Sequence, residues 1–141
     1  MVHAPGGGLR RRRVEPVFIA ILIALLEYMT FGALVGRARA RFGVKAPATV
    51  GHPEFERIYR VHQNTLESLV VFVPALWIFG LYVSPLLAAA FGAVFVIARA
   101  IYAVGYIKAA EKRSIGAALS GLTTGIVVLW ALVALARRVL S

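Results

Sequence analysis

The chain has no cysteine and no aspartate; its only six acidic residues are glutamates. The lack of cysteine excludes disulfides, thiolate metal sites and a cysteine nucleophile. The lack of aspartate leaves nothing to build an Asp-based metal cluster or phosphotransfer site. Charge is scarce overall, at 16% of 141 residues against about a quarter in soluble domains, while 60% of residues are hydrophobic and mean hydropathy is +0.81. A soluble fold of this length has no way to hide so much apolar surface. What charge there is runs basic, net +10. Arginines flanking apolar spans and facing anionic headgroups account for that excess without a nucleic-acid partner. Composition therefore indicates an integral membrane protein of one domain.

Four apolar stretches are each long enough for a bilayer core, which takes about 20 helical residues. They run from about Val14 to Val35, Pro53 to Tyr82, Pro85 to Ile107 and Ser114 to Ala136. Backbone groups in lipid must pair within their own segment, so these are helices and not the shorter alternating strands of a barrel. The predicted fold is all-α: an antiparallel bundle of four transmembrane helices. Residues 1–13, Gly-rich and then polybasic, are expected to be disordered, 14–136 to form the membrane domain and 137–141 a short basic tail. Glu15 and Glu27 interrupt the first stretch, no small-residue cleavage site follows it, and it is read as a retained span and not a secretory signal. The first loop, about Gly36–His52, carries Arg37, Arg39, Arg41 and Lys45, with Pro47 and Pro53 as helix stops. The connection at Tyr82–Pro85 is short enough for a tight helical hairpin. Loop charge is nearly balanced between the two faces and does not orient the chain.

The polar residues of the second span are phased. Arg60, Asn64 and Glu67 recur at four and three residues, with Arg57 a turn earlier, so they share one helix face. In the third span Arg99, Tyr102 and Tyr106 do the same, and Arg113 follows two turns on. Ionisable groups at membrane depth point into a bundle or a wet cavity and are paired. Such faces serve either as interhelical locks, with the tyrosines as interfacial belt residues, or as the walls of a polar site. A cation, an amide, an anion and two phenols in series suit a small zwitterion with several carboxylates and one amine. Glu27 is expected to make an interhelical hydrogen bond.

The same residues carry a family resemblance. GHPEFERIYRVHQNTLES followed by ARAIYAVGYIKAAEKR resembles the MAPEG family, membrane-associated proteins in eicosanoid and glutathione metabolism. Gly51, Pro53, Phe55, Glu56, Arg57, Arg60, Asn64 and Glu67 match its second-helix pattern, and Ala98, Arg99, Tyr102, Gly105 and Tyr106 its third. The wording is most similar to the microsomal glutathione transferase branch. The resemblance implies a homotrimer that uses glutathione as co-substrate, with no metal, and conjugates it to lipophilic electrophiles in a detoxifying role. Peroxidase activity on lipid hydroperoxides is a further activity within that family; the alternative is a non-catalytic lipid-binding member.

By the family pattern Arg60, Asn64, Glu67, Tyr102 and Tyr106 hold the tripeptide, Arg39 and His62 reach it from the adjacent subunit, and catalytic Arg113 faces the sulfur. The chemistry agrees. Arg60 suits a carboxylate through bidentate charge-assisted bonds, Glu67 suits the ammonium, and Asn64 both donates and accepts. A nearby cation lowers a thiol pKa from about 8.5, favouring the thiolate. The chain departs from the family at Ser68, where some members have Tyr, and at Val70, where many have Pro, with Pro74 a turn later. Arg37, Arg39 and Arg41 alternate, where leukotriene C4 synthases have adjacent arginines, which argues against a dedicated leukotriene synthase. Because glutathione is abundant in the cytoplasm, the site is expected to face it, putting the first and third loops inside and both termini outside.

Overall fold

A computed structural model describes residues 7–141, with side chains from Val14 onward. Residues 1–6 of the expected disordered terminus lie outside the described residues. Four helices follow in order: α1 (Gly7–Phe42), α2 (Pro53–Tyr82), α3 (Pro85–Lys108) and α4 (Ser114–Leu140), with a single 3-10 turn at Ala110–Arg113 before α4. All four are long and apolar enough to cross a membrane. At 1.5 Å per residue even α3, the shortest at 24 residues, spans about 36 Å.

Local chemistry sets the ends. Gly43, at φ 67°, takes the left-handed conformation just after α1, a position glycine fills without a Cβ penalty. Pro53 and Pro85 each open a helix, where the missing N–H costs nothing. The caps before them are His52, whose Nδ1 accepts from Glu54 N at 3.3 Å, and Ser84, whose Oγ accepts from Leu87 N at 3.3 Å. The hairpin between α2 and α3 is as tight as the sequence indicates.

Three boundaries differ from expectation, the first being that α1 already begins at Gly7, within the stretch expected to be disordered. α1 does not stop at Val35 but continues to Phe42, so Arg37, Arg39 and Arg41 sit on its last turns and not in a loop. α4 likewise carries Arg137 and Arg138 within the helix, to Leu140, where a tail was expected. At these two later ends the arginine-bearing stretch contains no proline, and long basic side chains can leave a helix end for the interface without unwinding it.

α2 and α3 form the middle of the bundle, and α1 and α4 each pack against both of them. The core is aromatic: Phe72 and Phe95, both fully buried, stack at 3.9 Å between centroids, with Leu76, Phe79, Ala24 and Val127 around them. Large apolar side chains such as Leu22, Leu26, Met29, Val70, Leu129 and Leu132 point outward. An exterior as apolar as the core fits a lipid surround, where apolar association supplies little and close packing decides.

Close packing is sharpest between α3 and α4. A Cβ on Gly116 would overlap the Tyr102 backbone, and one on Gly105 would overlap the carbonyl of Lys112. These two glycines let the start of α4 and the 3-10 turn lie directly on α3. The turn therefore delivers Arg113 to the side of Tyr106.

Candidate functional site

A groove of about 470 Å³ opens between α2, α3 and α4, within the roughly 300–1,000 Å³ range of small-molecule sites. α2 contributes Asn64, Glu67, Ser68 and Val71, at the three-and-four spacing of one helix face. α3 contributes Arg99 and Tyr102. Arg113 closes one end, and α4 supplies Ala117, Ser120, Gly121 and Thr124.

The side chains are interlocked. Asn64 Nδ2 donates to the Tyr102 hydroxyl at 2.6 Å, joining α2 to α3 and leaving the phenolic proton available to a ligand. Arg113 Nη1 donates to the Tyr106 hydroxyl at 3.2 Å, and its guanidinium carbon lies 5.1 Å from that ring's centroid. Tyr102 and Tyr106 are themselves buried, whereas Arg113 and Glu67 are exposed. Glu67 Oε1 accepts from Gln63 Nε2 at 3.4 Å, a long contact. Arg57 Nε donates to the Ile107 carbonyl at 3.0 Å, a further tie between α2 and the end of α3. The groove thus presents a carboxylate on one wall, an exposed guanidinium at one end, and an amide and phenol bonded to each other between them.

Of the residues expected from sequence, Asn64, Glu67, Tyr102 and Arg113 line this groove, and Tyr106 borders it through Arg113. Arg60 is exposed one turn from Asn64 and is not part of the lining. Arg39 and His62 lie elsewhere in the chain. Arg39 Nη1 donates to the carbonyls of Ala48 at 2.7 Å and Val44 at 3.3 Å, and its guanidinium covers Phe55 at 4.9 Å, so it ties down the connection after α1. His62 stacks on Tyr28 of α1, with centroids 4.4 Å apart and rings 11° from parallel. Glu27 does not make the hydrogen bond expected of it: its Oε2 is buried without a partner.

The α4 wall was not anticipated. Its signal is the recurrence of small and hydroxylated residues at Gly116, Ser120 and Thr124, every fourth position in a span without charge. The Ser120 hydroxyl donates to the Gly116 carbonyl at 2.9 Å and that of Thr124 to the Ser120 carbonyl at 2.8 Å, so both are satisfied within the helix. Among the described residues, no group of three or more His, Cys, Asp or Glu side chains could hold a metal ion.

A bundle of four membrane-length helices with a charged groove between α2, α3 and α4 is that of a multi-pass membrane protein. The MAPEG family model matches residues 17–134, and the chain belongs to that family. The uncharacterized protein sll1147 of Synechocystis sp. is 48% identical over 120 residues, covering 85% of this chain and 87% of that protein. Microsomal glutathione S-transferase 2 of Mus musculus is 41% identical over 121 residues, covering 85% and 82%. Leukotriene C4 synthase of Bos taurus is 39% identical over 115 residues, covering 82% and 73%.

Proposed function

We propose that this chain is a membrane-bound glutathione transferase that joins the glutathione thiolate to lipophilic electrophiles. The observation that carries the reading is the convergence of Asn64, Glu67, Tyr102 and Arg113 on one groove, in a family whose similar members bear glutathione transferase and leukotriene C4 synthase names. Glu67 takes the γ-glutamyl ammonium, while Asn64 and the free proton of the Tyr102 phenol hold the peptide's carbonyl and carboxylate oxygens. Arg60, exposed a turn from Asn64, swings to a terminal carboxylate.

Arg113, beside Tyr106, faces the sulfur. Its charge favours ionisation of the thiol, whose proton passes to solvent at the open mouth of the groove. The thiolate then attacks the electrophilic carbon: a C–S bond forms and the leaving group departs with its electron pair. Electrophiles dissolved in the bilayer reach the groove from its lipid side, and holding both reactants together supplies the orientation. A lipid hydroperoxide enters by the same route, its O–O bond reduced at the expense of two glutathione thiols oxidised to the disulfide.

The functional unit is a homotrimer in this reading. Arg39 and His62 lie away from their own groove, so they serve a neighbouring subunit's glutathione. The groove opens to the cytoplasm. Conjugation of a chloro-nitrobenzene to glutathione by the purified protein in detergent tests the activity. A protein that is folded and inert in that assay, yet binds fatty acyl ligands, is a lipid-binding member instead.

A further inference from the structure

Arg99 sits at membrane depth on α3, only 3% exposed, in the wall of the groove beside Tyr102. Two contacts hold it. Its Nη2 donates to Thr65 Oγ1 at 2.6 Å, and its guanidinium carbon lies 4.0 Å from the centre of the Tyr102 ring. Thr65 is fully buried and spends its own proton on the Val61 carbonyl at 2.7 Å, which leaves its oxygen free to accept. Adjacent α2 residues thus meet α3 residues one turn apart: Asn64 holds the Tyr102 hydroxyl while Thr65 holds the cation under the Tyr102 ring. The phenol is fixed at both its oxygen and its face.

A buried guanidinium is costly unless its charge is answered. Arg99 Nε is buried with no hydrogen-bond partner, and so is Glu27 Oε2. These are an orphaned donor and an orphaned acceptor of opposite charge, one on α3 and one on α1. α1 and α3 pack directly against each other, and Glu27 is the residue of α1 that carries a buried, unpartnered carboxylate oxygen.

We propose that Arg99 is a positioning residue for the glutathione site, aligning Tyr102 and through it Asn64, and that Glu27 of α1 is its charge-balancing partner. The inference rests on the transferase reading and assigns Arg99 a role through Tyr102 and Glu27 a role through Arg99. A buried cation under the ring also polarises the phenol and favours its donation to a bound carboxylate.

The test compares wild-type protein with Arg99→Met, Arg99→Lys, Glu27→Gln and the Arg99→Met/Glu27→Gln double variant, all purified in the same detergent. Arg99→Met raises the KM for glutathione about tenfold while kcat moves less, and Arg99→Lys restores part of the loss. Glu27→Gln lowers the thermal midpoint by stranding the cation, and the double variant is more stable than the two single losses predict. Should Arg99→Met fail to fold, Thr65→Val removes the anchor at similar volume and is expected to raise the same KM. An unchanged glutathione KM in the folded Arg99→Met or Thr65→Val protein overturns the positioning role. Strictly additive midpoints overturn the partnership with Glu27. If wild-type protein neither binds nor conjugates glutathione, the transferase reading falls, and the thermal cycle, read without ligand, still decides the Glu27–Arg99 pair.

Discussion

Replacing Arg113 by alanine isolates what the cation does to the sulfur. Arg113 is exposed and its intramolecular ties are slight: one 3.2 Å hydrogen bond to the Tyr106 hydroxyl and a ring contact at 5.1 Å. A cation–π contact at an exposed site is worth only about 0.5–1 kcal/mol, so the fold survives the change. The lost contact with a developing thiolate is a charge-assisted hydrogen bond, about 1.5–3 kcal/mol. At 1.36 kcal/mol per decade of rate, turnover falls by roughly 10- to 150-fold. Glutathione affinity falls much less, because Asn64, Glu67 and Tyr102 still hold the peptide, and an interaction made mainly with the charged sulfur acts on the rate.

The pH profile supplies the sign. A cation beside the sulfur holds the bound thiol below its ordinary value of about 8.5, and its removal lets the value rise. The rate of the Arg113→Ala protein therefore climbs at higher pH than wild type, and the gap between them narrows as pH passes the free-thiol range. Initial rates with a chloro-nitrobenzene across pH 6–9.5, a range chosen about that value, beside calorimetric titration of glutathione, read both effects. Superimposable profiles with equal turnover would refute the reasoning. So would a loss confined to affinity.

Glu67→Gln keeps shape and removes the charge partner of the substrate ammonium; glutathione binding weakens by about 1.5–3 kcal/mol, measured by titration, and intact affinity with a dissociated oligomer would assign Glu67 to structure instead. Gly116→Ala drives a methyl into the Tyr102 backbone and is expected to cost about 1–3 kcal/mol of stability and to lower turnover by displacing Arg113; an unchanged thermal midpoint would contradict the close α3–α4 contact. A C-terminal fusion beyond Arg138 reads orientation: alkaline phosphatase activity places the C-terminus outside and the groove in the cytoplasm, whereas fluorescence of a fused green fluorescent protein without phosphatase activity reverses that assignment.

Sequence alone determined the four spans, the tight hairpin at Tyr82–Pro85 and the polar faces of α2 and α3. The bilayer makes these legible: each backbone group must be paired within its own helix, so hydropathy reads out helices directly. Helical periodicity then places Asn64 with Glu67, and Tyr102 with Tyr106, on shared faces. Periodicity names a face but not its neighbour, and the rest was decided in three dimensions. The α4 wall of the groove carries no charge, and only the approach allowed by Gly116 brings Ser120 and Thr124 opposite α2 and α3. Arg39 shares the basic run with Arg37 and Arg41, yet the turn at Gly43 folds the chain back so that Arg39 grips Ala48 and Val44. His62 lies two residues from both Arg60 and Asn64, about 200° around the helix at 3.6 residues per turn, so it turns to Tyr28 of α1 instead of the groove. Glu27 likewise enters the bundle with its Oε2 unpaired, because a one-dimensional pattern shows that a carboxylate interrupts a span but not what the neighbouring helices offer it.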